Sequence, residues 1–389
     1  MLRQAYFTLL AVMAFGASTT LAFDAEVNRT LVWDEALDGR SLADISVNQD
    51  TFLHLALERF NARNGAPVSL AKEDVAFSKL QLLRVPKAGS SEVSVIAREL
   101  AGCTPQGPCC VWPGDPPGSC PSKGLSCPKV AGCTGHHMDE RGRRLLENSY
   151  IFSMSNFRNV VDRMVSGFFY TPPHSPHCMR HDNVDYGECF TSMTKDAVFV
   201  NVMSKMVSGH PAYSKTYLCL DKNDEENCTE DLKSVIHGAC SLNFVAMCET
   251  WKTSVLLLFE TLTWLPPTPA FFPRPAPVSG GDEEDTPVQR KNTGARHEEG
   301  IKHITPELKE LASRANAVDE ALYEFVSAKF CDRLKEVGLL DHPLVTKELA
   351  TFQTLDQRCH DSTWVSDTLN RYKPLEPPEC RLYRPFVGP

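Results

Sequence analysis

Hydrophobic positions divide the central part of the chain into strand-like runs that are each followed by a turn and a helical pattern. The first unit lies at residues 79–100, where an apolar run at 80–85 precedes the turn PKAGSS at 86–91 and apolar positions then recur three and four apart. The second unit has a strand-like run at 150–155 and apolar helical spacing up to residue 170. This succession of strands and helices predicts an α/β fold.

The same pattern predicts several further elements. Helical spacing covers residues 51–64, 197–206, 249–262 and 306–337, and a strand-like run lies at 242–245. Loops or irregular segments are expected at 171–195, 266–300 and 338–389, and an acidic stretch at 221–231 is expected to separate a helix from a strand.

Residues 102–135 have a different composition, in which proline, glycine and cysteine dominate and neither strand nor helix periodicity is present. Six of the fifteen cysteines fall here, between Cys103 and Cys133. We interpret the segment as a disulfide-stapled insertion, because such density is typical of proteins that fold in an oxidising compartment. A zinc site is the alternative, although the adjacent pair Cys109-Cys110 suits it poorly. Spacing alone leaves the pairing of the cysteines open.

The N-terminus and the charge balance narrow the location and the class of partner. Arg3 is followed by an apolar run that ends near residue 23, which is typical of an export signal that is either cleaved after Ala22 or retained as a single membrane anchor. Sequons at Asn28 and Asn227 are compatible with lumenal glycosylation. A net charge of −9 argues against general binding of nucleic acid, so any anion site must be a local basic pocket.

Basic and hydroxyl side chains lie at the turns of both strand–turn–helix units. In the first turn Lys87 supplies a positive charge, Gly89 lets the backbone approach closely, and two serines follow. In the second, Arg158 stands near the start of the helix, and Ser166 follows eight residues later. A strand, a small-residue turn and a helix point backbone N–H groups at an anion. Taken alone, the first turn is equally compatible with an ordinary β–α connection, but the two together predict a site for a phosphate-bearing ligand.

Three histidines, His174, His177 and His181, lie in the predicted loop at 171–195. They could form a metal cluster, but the loop is rich in proline and offers no carboxylate at helical spacing. We therefore interpret them as surface residues and expect no metal.

These segments resemble the lumenal carbohydrate sulfotransferases, and among them the uronosyl 2-O-sulfotransferase branch most. PKAGSS at 86–91 is similar to the family's Pro-Lys-x-Gly/Ala-Ser-Thr/Ser loop. RNVVDRMVS at 158–166 is similar to its Arg-Asp/Asn-Pro-x-x-Arg-x-x-Ser signature, with Val160 in place of proline. FVAMCE at 244–249 and LYEF at 322–325 are weaker matches to its Phe-Val-Gly-x-x-Glu and Leu-Tyr segments.

The resemblance implies a P-loop-like three-layer sandwich with a central parallel sheet flanked by helices, at residues 75–337. A signal or anchor (1–23) and a stem with a lead-in helix (24–74) would precede it, and a tail (338–389) would follow. It also implies 3′-phosphoadenosine 5′-phosphosulfate (PAPS) as co-substrate, a carbohydrate acceptor, and the Golgi lumen as the location, as a type II membrane protein or a secreted one. The residues that would bind PAPS are Lys87, Ala88, Gly89, Ser90, Ser91, Arg158 and Ser166.

The acceptor hydroxyl must lose a proton as its oxygen attacks sulfur, and histidine suits that task near neutral pH. The resemblance implies a base in a histidine-containing segment shortly before the arginine that binds the 3′-phosphate. His137 lies 21 positions before Arg158 and His136 lies 22 before it, so His137 is the first candidate and His136 the second. Glu92 is the reserve candidate, because other branches use a glutamate. Lys87 would offset the charge on the leaving group.

Two other functions are compatible with parts of the pattern. A secreted glycan-binding protein on a catalytically decayed scaffold would tolerate Val160 and the large insertion, but it would not need Lys87, Arg158 and Ser166 together. A nucleotide kinase would need the G-x-x-x-x-G-K-[ST] pattern, which the turn at 86–91 lacks. The acceptor sugar and the oligomeric state stay open.

Overall fold

The computed structural model describes residues 49–64, 79–83, 85, 88, 96, 100, 119–120, 125–126, 130–134, 151–170, 185–211, 214–216, 218–219, 225–262 and 304–386. All of these belong to one compact unit that begins at Gln49. The predicted signal or anchor at 1–23 lies outside the described residues.

Four parallel strands form the central sheet, which confirms the α/β class. In chain order the strands are β1 (Lys79–Leu83), β2 (Ser119–Cys120), β3 (Leu125–Ser126), β4 (Val130–Thr134), β5 (Ile151–Phe157) and β6 (Phe244–Met247). The main sheet has the order β4-β1-β5-β6, and β2 and β3 form a separate antiparallel pair. The strands predicted at 80–85, 150–155 and 242–245 correspond to β1, β5 and β6, with ends shifted by one to two residues.

Helices surround this sheet. They are α1 (Gln49–Asn64), α2 (Val160–Tyr170), α3 (Tyr186–Lys195), α4 (Val202–Val207), α5 (Glu225–Cys240), α6 (Trp251–Thr261), α7 (Pro306–Ala315), α8 (Ala317–Glu336), α9 (Pro343–Ala350), α10 (Gln353–His360) and α11 (Ser362–Tyr372), followed by a 3₁₀ turn at Lys373–Leu375. The helices predicted at 51–64 and 249–262 are confirmed as α1 and α6. Ile96 and Leu100 are helical and buried, as the spacing after the first turn predicts.

Strand β5 lies inside the sheet and is buried along its whole length, although it contains serines. Ser153 Oγ donates to the Ser241 carbonyl (3.1 Å), and the Ser153 N–H donates to the Asn243 side chain (2.8 Å). Ser155 Oγ donates to the Leu83 carbonyl on β1 (2.9 Å). These hydrogen bonds offset the desolvation of the polar groups, so a strand of mixed composition can occupy a buried position.

Helix α8 is the centre of the helical part of the unit. It packs against α4, α5, α10 and α11, and its buried side chains include Phe325, Phe330 and Leu334. A second apolar cluster joins α2, α3 and α7, where Phe168 meets Phe190 edge-on with 5.4 Å between the ring centres. Helix α6 packs on β6, and α1 packs on α6.

The C-terminal segment covers the outer edge of β6. The Tyr383 hydroxyl donates to the Val245 carbonyl (2.7 Å), and the Tyr383 N–H donates to the Asn243 carbonyl (2.9 Å). A disulfide between Cys240 and Cys380 attaches the same segment to the end of α5. This arrangement protects an edge strand whose backbone groups would otherwise be open to pairing with another chain.

Disulfides are distributed over the helical part. They join Cys219 to Cys228, Cys240 to Cys380 and Cys331 to Cys359, and Cys189 is disulfide-bonded as well. Such bonds are typical of secreted or lumenal proteins, because cytosolic thiols are kept reduced. Among the helices that the structure describes, none combines the length and the hydropathy needed to cross a bilayer.

Several segments that we predicted to be irregular are helical. The tail forms α9, α10 and α11, and the loop predicted at 171–195 contains α3. The acidic stretch at 221–231, which was expected to separate a helix from a strand, continues from residue 225 as α5. The predictions for the loop and the tail were wrong because these four helices are only 8–11 residues long, so each offers a short run of apolar spacing, although α3 and α11 are amphipathic. Helices α3, α5 and α10 each contain a disulfide-bonded cysteine, and tertiary contacts of this kind stabilise short helices that local propensity does not.

Three other predictions also need correction. Residues 102–135 were expected to contain no strand, but they contain β2, β3 and β4, and β4 pairs with β1 in the main sheet. The helix predicted at 306–337 is interrupted at Asn316, whose side chain donates to the Ala312 carbonyl (2.8 Å) and accepts from the Asn201 N–H (2.8 Å). The helix predicted at 197–206 begins only at Val202, because Asn201 has a left-handed backbone (φ 51°) that a helix interior does not allow.

Candidate functional site

The carboxyl ends of β1 and β5 lie side by side where the chain changes direction across the sheet. In the main sheet the chain continues from β1 to β4 on one side, whereas from β5 it continues to β6 on the other. Ligands of open parallel sheets bind at such a switch point, outside the carboxyl ends of the strands. Ala88 follows β1, and Arg158 follows β5. The topology therefore brings these two residues, each from a segment that we predicted to bind an anion, to the same edge of the sheet.

Asn156 connects these two turns. It is the penultimate residue of β5, is fully buried, and donates a hydrogen bond from its side-chain Nδ2 to the carbonyl of Ala88. Its Oδ1 is buried and has no hydrogen-bond partner in the part of the chain that the structure describes. A buried acceptor without a donor costs free energy and calls for a functional explanation. We did not predict Asn156, and the signal for it is an amide at the end of an otherwise buried strand.

Arg158 is half-buried and stands between β5 and α2. The next residue, Asn159, caps the helix, because its Oδ1 accepts from the N–H groups of Val161 (3.1 Å) and Asp162 (3.2 Å). Val160 is the first helical residue and is fully buried. Proline is common at the first helical position, because the backbone N–H of that residue has no partner within the helix. Valine at the same position leaves the helix start intact. An anion here would be held by side chains, because Asn159 already occupies the amides of residues 161 and 162.

Ser166 lies on α2, seven residues after the cap Asn159, and is half-buried. At 100° per residue, seven steps return almost to the starting direction, so both residues share one face of the helix about 10 Å apart along its axis. Asp162 lies between them on that face and is exposed. An anion bound by Arg158 and Ser166 would lie near the Asp162 carboxylate.

Glu249 follows β6 and extends to the turn that contains Arg158. Its Oε1 accepts a hydrogen bond from the backbone N–H of Asn159. Burial raises the pKa of the Glu249 carboxyl, while that hydrogen bond and the charge of Arg158 favour the ionised form. Its second oxygen, Oε2, is buried as well.

Tyr323 on α8 borders this cluster from the helical side. The side chain is buried, and burial raises the pKa of its hydroxyl far above the usual range. The charge of Glu249 acts in the same direction, and the charge of Arg358 opposes it. Two segments that are far apart in the chain, one ending at Glu249 and one containing Tyr323, are therefore within electrostatic range of each other.

The N-terminus of α6, which begins shortly after Glu249, is not available for an anion. Glu348 from α9 accepts hydrogen bonds from the N–H groups of Lys252 (3.0 Å) and Thr253 (2.6 Å) and from the Thr253 hydroxyl (2.6 Å). Burial raises the pKa of Glu348, and these hydrogen bonds favour its ionised form. A carboxylate therefore already occupies this helix end.

Arg163, the second arginine of the 158–166 segment, belongs to the core. Its Nη2 lies 3.5 Å from Asp319 Oδ2 and 3.3 Å from Asn316 Oδ1, and all three side chains are buried. Asp319 also accepts hydrogen bonds from two backbone N–H groups at the start of α4. These contacts assign a structural role to Arg163 and leave Arg158 as the arginine at the strand end.

Only some of the predicted site residues are described. Ala88 and Arg158 lie at the adjacent strand ends, and Ser166 lies on the helix that follows. The predicted residues that lie outside the described part of the chain are Lys87, Gly89, Ser90, Ser91, Glu92, His136 and His137, together with His174, His177 and His181. Their roles stay predictions.

Among the described residues, one group of side chains has the composition of a metal site. Cys240, Glu376 and Cys380 place potential ligand atoms within 4.8 Å of one another. The two sulfurs are joined in a disulfide, so they offer no thiolate and this group does not form a metal site in the oxidised protein.

A groove of about 260 Å³ lies away from the strand ends, between α8, α10 and α11. The Cys331–Cys359 disulfide, Val365 and Leu369 contribute to its lining. None of its residues belongs to the turns after β1 and β5, so its location gives no support to ligand binding at the switch point.

Known proteins supply no relative for this chain: no protein-family model, no curated protein and no solved structure matches it. Its function must therefore be argued from its own residues and their geometry.

Proposed function

We propose that this protein is a PAPS-dependent sulfotransferase that transfers a sulfuryl group to a hydroxyl of a carbohydrate. The observation that carries the proposal is the hydrogen bond from Asn156 to Ala88, which joins the turn after β1 to the end of β5, two residues before Arg158. A nucleotide with a phosphate at both its 3′ and 5′ positions needs two cationic subsites at a fixed separation. Two neighbouring strand ends, each followed by a basic turn, are suited to that requirement.

In this proposal the turn at 86–91 holds the 5′ end of PAPS, with Lys87 at the bridging oxygen and donors from Gly89, Ser90 and Ser91. Arg158 and Ser166 hold the 3′-phosphate, because a planar guanidinium fork matches phosphate oxygens and a serine adds a short donor. The buried Asn156 Oδ1 supports a polar ligand at this edge. Adenosine carries amino and hydroxyl groups, and either could donate a hydrogen bond to Asn156 Oδ1.

The reaction is an in-line displacement at sulfur. The acceptor oxygen forms a new S–O bond while the S–O bond to the 5′-phosphate breaks, and adenosine 3′,5′-bisphosphate leaves with the bonding electrons. His137 takes the hydroxyl proton, with His136 as the second candidate. Lys87 offsets the charge on the leaving phosphate. The protein contributes mainly positioning and charge neutralisation, as enzymes of phosphoryl transfer do.

The finer fold and location belong to the same proposal. A P-loop-like three-layer sandwich places its first strand inside a parallel sheet and an anion-binding turn after it, and the order β4-β1-β5-β6 is compatible with that arrangement. The disulfides support a lumenal or extracellular environment. We place the protein in the Golgi lumen, with residues 1–23 as its signal or anchor.

The direct test uses the purified protein. We expect adenosine 3′,5′-bisphosphate to bind in isothermal titration calorimetry, and radiolabelled PAPS to label at least one member of a panel of desulfated polysaccharides. Lys87→Ala and Arg158→Ala should abolish transfer and keep the melting temperature of the wild type. Arg371→Ala is the control, because Arg371 is an exposed arginine of α11 that pairs with Glu324. It should transfer sulfate normally.

Other outcomes would contradict the proposal in distinct ways. A protein that neither binds the bisphosphate nor labels any polysaccharide is not a sulfotransferase. Binding of the bisphosphate without turnover on a broad acceptor panel would favour a glycan-binding protein on a decayed scaffold. Effective competition by ATP would favour a phosphate-transfer enzyme.

A further inference from the structure

Two hydrogen bonds from the end of β6 hold the residues on either side of Arg158. On one side, the Cys248 N–H donates to the Phe157 carbonyl (2.8 Å) and so continues the β5–β6 ladder. On the other side, the Asn159 N–H donates to Glu249 Oε1. The backbone of Arg158 is therefore fixed from both ends by the same neighbouring strand.

Asn159 is also fixed through its other polar groups. Its side chain caps α2, and its carbonyl accepts from the Arg163 N–H (2.8 Å) in the first turn of the helix. The N–H of a capping residue has no partner within its own helix and needs an acceptor from elsewhere. Glu249 supplies that acceptor, and without it the turn is free to change the direction of the Arg158 side chain.

We propose that Glu249 is a positioning residue for Arg158, whose hydrogen bond to the Asn159 N–H orients the turn so that the guanidinium reaches the 3′-phosphate of the donor nucleotide. The inference rests on the proposed function, and it goes further by naming the residue that favours a 3′-phosphorylated nucleotide over a plain 5′-nucleotide. Glu249 acts through Arg158 and does not contact the phosphate itself.

The negative charge of Glu249 is compatible with a phosphate nearby. A guanidinium has five N–H donors, so a carboxylate at one edge leaves donors for a phosphate at another. The Oε1 atom is already bonded to the Asn159 N–H, and the opposite charges of Glu249 and Arg158 attract each other. Glu249 thus acts on the arginine through the backbone of the turn and through the attraction between their opposite charges.

The affinities for two nucleotides distinguish this positioning role of Glu249 from a general effect of its substitution on folding. Adenosine 3′,5′-bisphosphate uses both subsites, whereas adenosine 5′-phosphate uses only the turn at 86–91. We expect Glu249→Ala to weaken binding of the bisphosphate by about tenfold, on the order of one lost hydrogen bond to a charged group, and to leave the monophosphate within about twofold. Glu249→Gln should bind the bisphosphate within about threefold of the wild type, since its amide oxygen still accepts from the Asn159 N–H. Calorimetry measures each of these affinities.

Glu348→Gln is the matched control, because Glu348 is a second buried glutamate that accepts backbone hydrogen bonds near the strand ends but does not contact the turn at Arg158. It should lower the melting temperature and leave the ratio of the two affinities unchanged. If Glu249→Ala does not fold, Glu249→Met takes its place, since methionine keeps the volume and lacks the acceptor.

Three results would overturn the inference: unchanged affinity of Glu249→Ala for the bisphosphate, an equal loss for both nucleotides, or a Glu249→Gln variant as impaired as Glu249→Ala. A wild-type protein that binds no bisphosphate would overturn the proposed function and this inference with it. That result differs from the other three because it is seen before any variant is made.

Discussion

Asn156 on β5 donates a hydrogen bond from its side chain to the carbonyl of Ala88, in the turn that follows β1. The two residues are separated by β4 and by the cysteine-rich segment along the chain, and only the parallel pairing of β1 with β5 brings them together. Because the Asn156 amide is fully buried, it holds the backbone of a turn that local sequence would leave free to adopt several conformations.

We expect Asn156→Ala to weaken binding of adenosine 3′,5′-bisphosphate by about tenfold, because the turn at Ala88 loses the donor that fixes it. Ser155→Ala is the control: it removes a hydrogen bond between β5 and the Leu83 carbonyl of β1 and should lower stability by about 1 kcal/mol without a change in affinity. Calorimetry and chemical denaturation measure the two effects. Equal affinities for Asn156→Ala and the wild type would contradict this prediction.

The two arginines of the 158–166 segment should respond differently to substitution. Arg163→Ala leaves the buried Asp319 carboxylate without its partner, so we expect the free energy of unfolding to fall by about 3–5 kcal/mol. Arg158→Ala should change it by less than about 0.5 kcal/mol, because a partly exposed side chain contributes little to stability, but should abolish binding of the bisphosphate. Urea unfolding of both variants measures the difference in the free energy of unfolding, and comparable destabilisation by the two substitutions would refute the prediction.

The Cys240–Cys380 disulfide spans 140 residues and should stabilise the protein more than Cys219–Cys228, which spans 9. In the chain-entropy model the longer loop contributes about 5 kcal/mol and the shorter about 3 kcal/mol. We therefore expect Cys240→Ser/Cys380→Ser to lower the melting temperature further than Cys219→Ser/Cys228→Ser. Differential scanning calorimetry measures the order, and the reverse order would show that native contacts outweigh loop entropy.

Lys205 on α4 is fully buried, and its Nζ donates to the carbonyls of Ala197 and Ser214. Burial lowers the pKa of Lys205 to about 8; Asp319 and Asp196 act to raise it, and Arg163 acts to lower it. Between pH 8 and the usual lysine value of 10.5 the unfolded chain binds more protons than the folded protein, so stability should rise with pH across this window.

The variant Lys205→Met isolates that contribution, because other titrating groups are the same in both proteins. We expect the free energy of unfolding of the wild type, relative to Lys205→Met, to rise by up to about 3 kcal/mol as the pH passes through the window. Below pH 8 the buried lysine is charged, so the full penalty for burying that charge lowers the free energy of unfolding of the wild type relative to Lys205→Met. A parallel pH dependence of the two proteins would contradict the prediction.

Local pattern was sufficient for some elements and insufficient where contacts between distant residues decide. The apolar spacing of α1 and α6 and the strand-like runs of β1 and β5 predicted those elements within one to two residues. The helices of the C-terminal tail and strand β4 were missed, because their residues are mixed locally and are stabilised by a disulfide, by α8 or by pairing with β1.

The same distinction between local sequence and tertiary structure applies to the candidate site. The sequence by itself determined which chemical groups stand at the two turns, since Lys87 and Arg158 are recognisable from residue type and position after a strand-like run. Only the tertiary structure decided that the turn after β1 meets the end of β5, that Asn156 and Glu249 hold these turns, and that Arg163 belongs to the core. The physical reason is that strand order, burial and hydrogen-bond partners depend on residues far apart in the chain, which local periodicity does not record.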